Sequence, residues 1–449
     1  MFTRRWLVGA LGLTALGVPV TSVGAQAPTP VQVESFTLAN GLRVHLVEDH
    51  SAQVVAVNVW YDVGSRNERA GRTGFAHLFE HMMFQGSANV KKAEHFQFVE
   101  RAGGDLNGST QPDRTNYYEE LPSNRLNLAL WLEADRMRSL AVNAENLKNQ
   151  QEAVKEERRL RVDNQPYSGA FVEGIPTLFD PAGCFAYAHS IIGSMDDLTA
   201  ATVEDVQAFF NLYYAPNNAT LVITGDFQPA TARRLVTEYF AGIPRGPATP
   251  PAVTCSGGVR ARTERVVDKN ATLPAVVIAV PAVPPSHADY PALELLSTIL
   301  GTGESSRLNR TLVRERQVAV GVQALFNPFG PMRGAGLFGA LAIGNQGVAP
   351  DSVAAALTGA LAAAATGISA EELTKAKNSW RASTILGRQT ALSLSEAVHY
   401  AAMYLGSPTA VNSDAARYEA VTLADIQRVA TTYLRPDRAL TLIISPEAR

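Results

Sequence analysis

The feature that most constrains the fold is an internal repeat in which six positions recur in register at an offset of 220 residues. The first copy holds Asp205, Val206, Gln207, Tyr213, Pro216 and Ala219, and the second holds Asp425, Ile426, Gln427, Tyr433, Pro436 and Ala439. Each copy has the pattern of a helix followed by a hydrophobic strand, so we expect two copies of one α/β unit. Two unrelated domains that share a helix-to-strand turn are the alternative, but turn chemistry explains the proline and not the whole register.

The order of the elements within each copy indicates an α+β fold. Strands come first, several helices follow, and strands close the unit. This order predicts two homologous α/β domains, each a mostly antiparallel sheet covered by helices on one face. We place the first domain at residues 26–242, a Pro- and Gly-rich linker at 243–257 and the second domain at 258–449.

Hydrophobic periodicity places the individual elements of the first copy. Alternation around Asn40 and Gly41 predicts a hairpin, and a β-branched run over residues 54–61 predicts the next strand. Apolar residues spaced by three and four predict the helices. These helices cover residues 75–85, 93–101, 124–139, 143–162 and 203–213, and the last one leads into a strand at 219–224.

The first residues are typical of a secretory signal. Arg4 and Arg5 precede an apolar run over residues 6–20, and small residues follow up to Ala25. We expect a signal peptide at residues 1–25, the Sec route rather than the twin-arginine route, and export to the periplasm. A buried N-terminal helix is the alternative. No apolar run reaches the ~20 residues of a membrane-spanning helix, so no membrane span is expected.

Composition and cysteine content narrow the class of protein. The chain is 46% hydrophobic and 18% charged, with a formal net charge of -3, which is typical of a globular protein. It lacks the basic excess that nucleic-acid binding requires, so no nucleic-acid partner is expected. Cys184 and Cys255 are too few for a disulfide scaffold, and the sequence leaves open whether they pair.

The segment HLFEH carries the strongest chemical signal. On a helix, His77 and His81 lie four residues apart on one face, where their ring nitrogens can hold one metal ion. Glu80 lies on the same side and can reach a water at the metal without binding the metal itself. The spacing is that of the inverted H-x-x-E-H zinc motif, which makes Glu80 the candidate general base. The alternative is a helix whose polar face carries two histidines by chance.

A catalytic zinc site with an open position needs a third protein ligand, normally from another element. The helix predicted over residues 143–162 offers Glu152, Glu156 and Glu157. Periodicity weakly favours Glu157, which shares a face with Val154. A solvated charged face is the ordinary role for any one of these acids, so the residues alone leave the choice open.

The run over residues 38–86, which includes LANGLRVHLVEDH and GRTGFAHLFEHMMFQGS, resembles the pitrilysin/insulinase family of zinc peptidases. The small-subunit branch that contains the processing peptidases is the most similar. Further matches fall on EAVKEERRLRVDNQPY and on Tyr187, His189 and Gly193, so the resemblance spans nearly the whole chain after the signal. It implies a zinc-dependent endopeptidase for unfolded peptides or oligopeptides, with one Zn²⁺ per chain in the first domain and no metal ligands in the second.

The resemblance also assigns roles to further residues. Family members carry the third zinc ligand in a V-K-x-E-R-R context about 76 residues after the second histidine, which here is Glu157. They often have an acid seven residues earlier that supports the ligands, and Gln150 stands there. Their substrate adds as a strand to a sheet edge, and the matching segment supplies Gly104, Asp105, Leu106, Asn107, Gly108 and Thr110.

The second half departs from the family pattern at one position. Active assemblies complete the site with an Arg and a Tyr, and this chain keeps Arg314, a candidate transition-state contact, but has Val320 or Gly321 in place of the tyrosine. Neither can donate a hydrogen bond to an oxyanion through its side chain. The resemblance therefore implies the catalytic subunit of a heterodimer whose related partner supplies an Arg/Tyr motif, with a homodimer as second choice. A non-catalytic structural or peptide-binding subunit of a larger assembly is the alternative function.

Overall fold

The computed structural model describes residues 30–255, 258–364 and 366–447, and the signal peptide predicted at residues 1–25 lies outside them. The strands are β1 (Glu34–Thr37), β2 (Arg43–Glu48), β3 (Val54–Tyr61), β4 (Asp105–Thr110), β5 (Thr115–Pro122), β6 (Ala219–Gly225), β7 (Arg262–Asp268), β8 (Ala275–Ala282), β9 (Ala319–Phe326), β10 (Gly336–Gly344) and β11 (Leu440–Pro446). The helices are α1 (Phe75–Met82), α2 (Glu94–Arg101), α3 (Leu126–Ser139), α4 (Ala144–Arg158), α5 (Pro181–Cys184), α6 (Met195–Thr199), α7 (Val203–Tyr213), α8 (Pro229–Phe240), α9 (Tyr290–Gly301), α10 (Pro350–Ala363), α11 (Ala370–Leu386), α12 (Ala391–Tyr404), α13 (Asp414–Glu419) and α14 (Leu423–Tyr433). In these described ranges no helix has both the length and the apolar character to cross a membrane.

The strands form two sheets of the same design. The first has the order β1-β2-β6-β3-β5-β4, and the second has the order β7-β11-β8-β10-β9. All neighbours are antiparallel except β2 with β6 and β7 with β11, which occupy corresponding places in the two sheets. This topology confirms the predicted α+β fold with two sheet-containing domains.

The repeated positions mark the same structural unit in both halves. Thr202 and Thr422 cap α7 and α14, and the hydroxyl of each accepts a hydrogen bond from the backbone N–H three residues later. Both helices end at a tyrosine, a short 3-10 turn with proline follows, and the chain then enters a central strand, β6 or β11. The 220-residue repeat is therefore a repeat of structure as well as of sequence.

Strand β3 shows how the two halves pack together. Val57 and Val59 belong to the core that the helices of the first half cover. Asn58 and Trp60 point to the opposite face, where they contact α12 of the second half. In return, apolar side chains from residues 170–187 of the first half pack against the second sheet. Each sheet is thus covered on its second face by a segment of the other half.

The boundaries of the elements follow the predicted ones closely, with one informative difference. Periodicity predicts a helix over residues 143–162, but α4 ends at Arg158 and the chain continues in wider turns over Arg159–Asp163. Pro166 follows shortly, as is typical after a helix end. Residues 244–255 contain no helix or strand. The domain boundaries at 26–242, 243–257 and 258–449 stay a prediction.

A disulfide joins Cys184 to Cys255 across 71 residues of sequence. Cys184 ends α5 and is completely buried, whereas Cys255 lies in the segment between the two sheets. The bond therefore fixes the connecting segment to the wall of the first half.

Candidate metal centre

Close backbone contact between two glycines places the helix that carries HLFEH. Gly74 precedes α1 with φ 82°, in the left-handed region that favours glycine. A Cβ on Gly193 would lie 2.4 Å from the Cα of Gly74, so only glycine fits there. The opposite side of α1 is anchored by buried residues such as Leu78 and Phe79. The helix therefore presents His77 and His81 from a rigid base.

A buried carboxylate holds the N-terminus of the same helix. The two oxygens of Glu68 accept hydrogen bonds from the backbone N–H groups of Gly74 and Ala76, each at 2.8 Å. They satisfy helix-end donors that have no partner within the helix, and the negative charge suits the helix dipole. Burial raises the pKa of Glu68, and the neighbouring His189, at 3.1 Å, opposes that rise.

His77, His81 and Glu157 converge on one point. The Oε2 atom of Glu157 lies 3.4 Å from Nε2 of His77 and 3.2 Å from Nε2 of His81. Donor atoms at the corners of a tetrahedron around zinc lie roughly 3.3 Å apart when the bonds are about 2.0–2.1 Å. The three donor atoms therefore fit a zinc ion, with both histidines presenting Nε2.

The two other acids considered for the third ligand point away from this cluster. Glu152 pairs with Lys155 and its side chain is 63% exposed, and Glu156 pairs with Arg159 and is 58% exposed. Of the acids in α4, the structure brings only Glu157 to the histidines.

The electrostatics of the cluster suit a cation. Hydrogen bonds from His77 and His81 hold the pKa of Glu157 below its ordinary value. Burial lowers the pKa of His77, but Glu157 and Glu80 outweigh burial and raise it. The cluster thus favours positive charge, which a divalent ion would supply in place of protons.

Two residues near the cluster, Arg161 and Gln150, make different contacts. Arg161 reaches the second carboxylate oxygen of Glu157, with Nη1 2.7 Å from Oε1. Gln150 is buried on α4, but its amide donates to Asn149 at 2.6 Å. Within the described residues Nδ1 of His77 is buried without a hydrogen-bond partner. The supporting role of Gln150 stays a prediction.

Glu80 lies beside the cluster and is oriented by strand β4. The hydroxyl of Thr110 donates a hydrogen bond to Oε2 of Glu80 at 2.5 Å. A Cβ on Gly108 would lie 3.3 Å from Cγ of Glu80, so the missing side chain leaves room for the carboxylate. The sequence places Thr110 among the substrate contacts but does not predict its contact with Glu80.

Strand β4 is an edge strand next to the metal cluster. It pairs with β5 on one side and has no strand partner on the other among the described residues. Asp105, Leu106, Asn107, Gly108 and Thr110 all belong to it, and Gly104 directly precedes it. The open edge therefore lies where a peptide strand could reach the cluster.

A cavity of about 570 Å³ holds the cluster, Glu80 and part of β4. The apolar part of its wall comes from both halves of the chain: the first half supplies Val162, Val172, Pro176 and Ile192, and the second half supplies Phe329, Met332 and Leu337. An apolar wall suits the apolar side chains of a bound peptide.

The predicted transition-state residues of the second half lie elsewhere. Arg314 is in the turns over Asn309–Glu315, where its side chain is 55% exposed and pairs with Glu304. Val320 is exposed on the edge strand β9, and Gly321 follows it. None of these residues lines the cavity. The structure does not bring Arg314 to the metal cluster of its own chain.

A second group of possible ligands, His95, Glu119 and Glu133, is fully buried beneath the first sheet. Arg136 forms ion pairs with both carboxylates, at 3.4 Å to Glu119 and closer to Glu133. Burial, followed by the charge of Arg136, lowers the pKa of His95. Because Arg136 already pairs with both acids, we interpret this group as a structural ion-pair network.

Comparison with known proteins identifies the class that this fold and cluster define. The family model described as "Insulinase (Peptidase family M16)" matches residues 43–171, and "Peptidase M16 inactive domain" matches residues 200–379. The zinc protease PqqE of Helicobacter pylori is 30% identical over 456 residues, which cover 99% of this chain and 99% of that protein. The chain belongs to the insulinase family of peptidases.

Further relatives agree in sequence or in fold. A probable mitochondrial-processing peptidase subunit beta of Arabidopsis thaliana is 23% identical over 410 residues, covering 89% of this chain and 75% of that protein. The crystal structure of a protease from Helicobacter pylori superposes with a TM-score of 0.86 at 27% identity, over 93% of this chain and 100% of that one. A peptidase M16 inactive domain from Pseudomonas fluorescens has the same fold, with a TM-score of 0.82 at 18% identity over 93% of this chain and 98% of that one.

Proposed function

We propose that this chain is a zinc-dependent endopeptidase for unfolded peptides or oligopeptides, acting as the catalytic subunit of a heterodimer. The observation that carries the proposal is the convergence of His77, His81 and Glu157 beside Glu80, in a cavity next to an open strand edge. Relatives named as zinc proteases support the choice of metal. His77, His81 and Glu157 would hold one Zn²⁺ per chain.

The chemistry is peptide-bond hydrolysis. Zinc bound by these residues would supply Lewis acidity for the activation of water and the polarisation of the peptide carbonyl. Glu80 accepts the proton of the attacking water and delivers it to the leaving amine. Its Oε2 atom accepts the hydrogen bond from Thr110, which holds the carboxylate in one orientation.

The substrate would bind as an added strand along β4. Along β4, the backbone groups of successive residues point alternately towards β5 and towards the open side. One alternating set is Asp105, Asn107 and Ser109, and the other is Leu106, Gly108 and Thr110. Pairing through backbone groups reads the main chain more than the side chains, which suits broad sequence tolerance. The apolar part of the cavity wall would then add a preference for apolar side chains in the substrate.

We propose a heterodimer because this chain has no tyrosine at the position that completes the site in active assemblies of the family. Tyr187 is the tyrosine in the cavity wall, and its hydroxyl is engaged by the buried Asp113 at 2.9 Å. Arg314 lies outside the cavity, and Val320 or Gly321 occupies the tyrosine position. A partner subunit with an Arg/Tyr motif would supply the missing oxyanion contact. Relatives named as beta subunits of a processing peptidase support an assembly of subunits.

Metal analysis and a fluorogenic peptide assay on one preparation test the enzyme assignment. We expect one zinc per chain and cleavage of an unstructured peptide by the wild type. Glu80→Gln should keep the zinc and lose most turnover, by about 10²–10⁴-fold, because the general base is gone. Glu145→Gln, at an exposed position of α4, is the matched control and should retain activity. Wild-type turnover in Glu80→Gln would remove Glu80 as the base.

Assay of the chain with and without its partner tests the assembly. A related protein with the Arg/Tyr motif and no H-x-x-E-H motif should raise the rate strongly. Full activity of the purified chain as a monomer would overturn the heterodimer. Saturable peptide binding with zinc present, but no cleavage in either sample, would instead favour the alternative of a peptide-binding subunit.

Export to the periplasm through a signal peptide at residues 1–25 belongs to the same proposal. The disulfide between Cys184 and Cys255 supports it, because disulfides persist in oxidising compartments. N-terminal sequencing of the protein from the periplasmic fraction should begin after Ala25. A chain that keeps its first residues in the cytoplasm would contradict this part.

A further inference from the structure

A second cavity of about 500 Å³ lies at the junction of the two halves, separated from the metal cavity by Tyr187, which lines both. Four arginines from four separate segments of the chain line it: Arg43, Arg66, Arg245 and Arg333. We call this cavity the arginine pocket. The lining contains one carboxylate, that of Asp62.

Two of the arginines are neutralised by buried acids. Arg66 pairs with Asp62 at 2.5 Å and with Asp113 at 3.4 Å. Arg333 also pairs with Asp62, and its Nε atom lies 3.5 Å from Asp113. The ion pairs between these two arginines and the two acids link the second half of the chain to the first. Asp62 and Asp113 are therefore both engaged by Arg66 and Arg333.

The other two arginines are placed by different contacts. Nε of Arg43 donates to the hydroxyl of Thr220 at 2.9 Å, which fixes the guanidinium. Nη1 of Arg245 would lie 2.7 Å from a Cβ on Gly41, so the guanidinium occupies space that only glycine leaves. Within the described residues neither Arg43 nor Arg245 has an ion-pair partner within 4.0 Å, although the charge of Arg43 opposes the rise that burial causes in the pKa of Asp62. Four guanidinium groups against the carboxylates of Asp62 and Asp113 therefore leave the pocket with a net charge of about +2.

Further donors surround these charges. Asn217 lines the pocket and uses its Oδ1 atom to accept from the backbone N–H of Gly246 at 2.7 Å, so its amide N–H₂ is left as a donor. The hydroxyl of Thr249 is also in the lining. Fixed guanidinium groups recognise oxyanions through paired hydrogen bonds, and less entropy is lost when the fork is already ordered.

We propose that the arginine pocket binds an oxyanion group of about two negative charges, through Arg43 and Arg245. Two sources share this chemistry: a free inorganic or organic dianion, or the paired carboxylates of an acidic peptide. The proposal does not depend on the peptidase assignment, because it rests on charges and contacts outside the metal cavity.

Titration calorimetry on the purified full-length chain tests the site. The probes are sodium sulfate, which does not strip zinc, and a short peptide ending in two glutamates, with its fully amidated form as a neutral counterpart. We expect saturable one-to-one binding of sulfate or of the acidic peptide, weakened as chloride is added. Tighter binding of sulfate indicates a free dianion, and tighter binding of the acidic peptide indicates a peptide source.

Variants test whether the arginine pocket is the site of this binding. Arg43→Ala combined with Arg245→Ala should weaken binding at least about tenfold, or about 1.4 kcal/mol. Arg125→Ala removes an exposed arginine outside the pocket and should leave binding unchanged. Absence of saturable binding for both probes, equal binding by the double variant, or equal binding of the amidated peptide would overturn the proposal. Circular dichroism of the double variant should match the wild type, since neither arginine carries an internal ion pair.

Discussion

The candidate metal centre joins side chains that lie 80 residues apart in sequence, His77 and Glu157. The two histidines share one face of α1, and α4 packs against that helix so that Glu157 reaches both rings. The exposed Glu156 is one residue away on the same helix. A shift of one residue along α4 therefore separates the candidate ligand Glu157 from the surface acid Glu156.

Replacement of Glu157 tests this distinction. We expect Glu157→Ala to reduce zinc affinity by more than the roughly 10–100-fold that loss of a supporting hydrogen bond costs, because one of three donor atoms is removed. Glu156→Ala is the matched control and should bind zinc as the wild type does. Zinc content after dialysis against buffered free zinc measures both variants. Equal zinc retention in the two variants would rule out Glu157 as a ligand.

At the scale of residues, the sequence predicts those functional residues that are related by a short, regular spacing along the chain. The pair His77 and His81 is such a case, because four residues make one helical turn. The capping of α1 by Glu68 cannot be predicted in this way, because Glu68 precedes the helix by several residues and does not occupy the N-cap position. The contact of Thr110 with Glu80 likewise depends on how β4 lies against α1.

At the scale of elements, Glu68 should contribute to the stability of α1. Its removal in Glu68→Ala leaves two buried N–H donors without partners, and we expect the free energy of unfolding to fall by about 1–3 kcal/mol or more. Glu94, the first residue of α2, accepts a single hydrogen bond from the backbone N–H of Lys91 at 2.8 Å, in an exposed contact. Because water can replace this acceptor, Glu94→Ala should cost less than about 1 kcal/mol. Urea unfolding followed by circular dichroism measures both, and equal losses would contradict the buried capping role.

The disulfide is the second element-scale feature with a measurable effect. Its bond closes a loop across 71 residues, which restricts the unfolded chain. The double variant Cys184→Ser and Cys255→Ser should therefore lose about 2–4 kcal/mol of unfolding free energy. Wild type treated with a reductant should match the double variant in urea unfolding. An unchanged midpoint after complete reduction would show that the bond is not a stabilising constraint.

Sequence periodicity predicts the elements themselves well but not all of their ends. The strand β3 and the helix α7 have the predicted bounds, because each has an uninterrupted pattern between turn residues. The wider turns after Arg158 were missed, since apolar spacing continues through them. Resemblance alone links Arg314 to the metal site, and its position outside the cavity depends on tertiary structure, which local spacing does not predict.

At the scale of the whole molecule, each half completes the burial of the other. Alternation along β3 predicts that Asn58 and Trp60 lie on one face of the strand and the neighbouring valines on the other. It does not predict which element covers the face of Asn58 and Trp60. In the structure α12 covers that face, and His399 stacks on Trp60 with ring centroids 4.7 Å apart. The Nε2–H group of His399 also donates to the backbone oxygen of Asn58 at 3.0 Å.

Buried histidines at this junction predict a pH dependence of stability. Burial, with a smaller effect of Arg43, lowers the pKa of His45 to about 4, and burial also lowers the pKa of His399. In the unfolded chain a histidine takes up its proton near pH 6.5. Between pH 6.5 and 4 these two histidines bind more protons in the unfolded state, so their contribution to the free energy of unfolding falls as the pH is lowered through this window and is constant above it.

Substitution of His45 isolates its share of this effect. His45→Gln should flatten the fall in unfolding free energy between pH 6.5 and 4 by about 2–4 kcal/mol, because the side chain no longer titrates. Urea unfolding at several pH values measures the variant and the wild type, and their difference removes the contribution of the histidines that they share. If the variant followed the wild-type curve, the acid sensitivity would have to arise outside the junction, and the ring of His45 would titrate alike in the folded and unfolded chains.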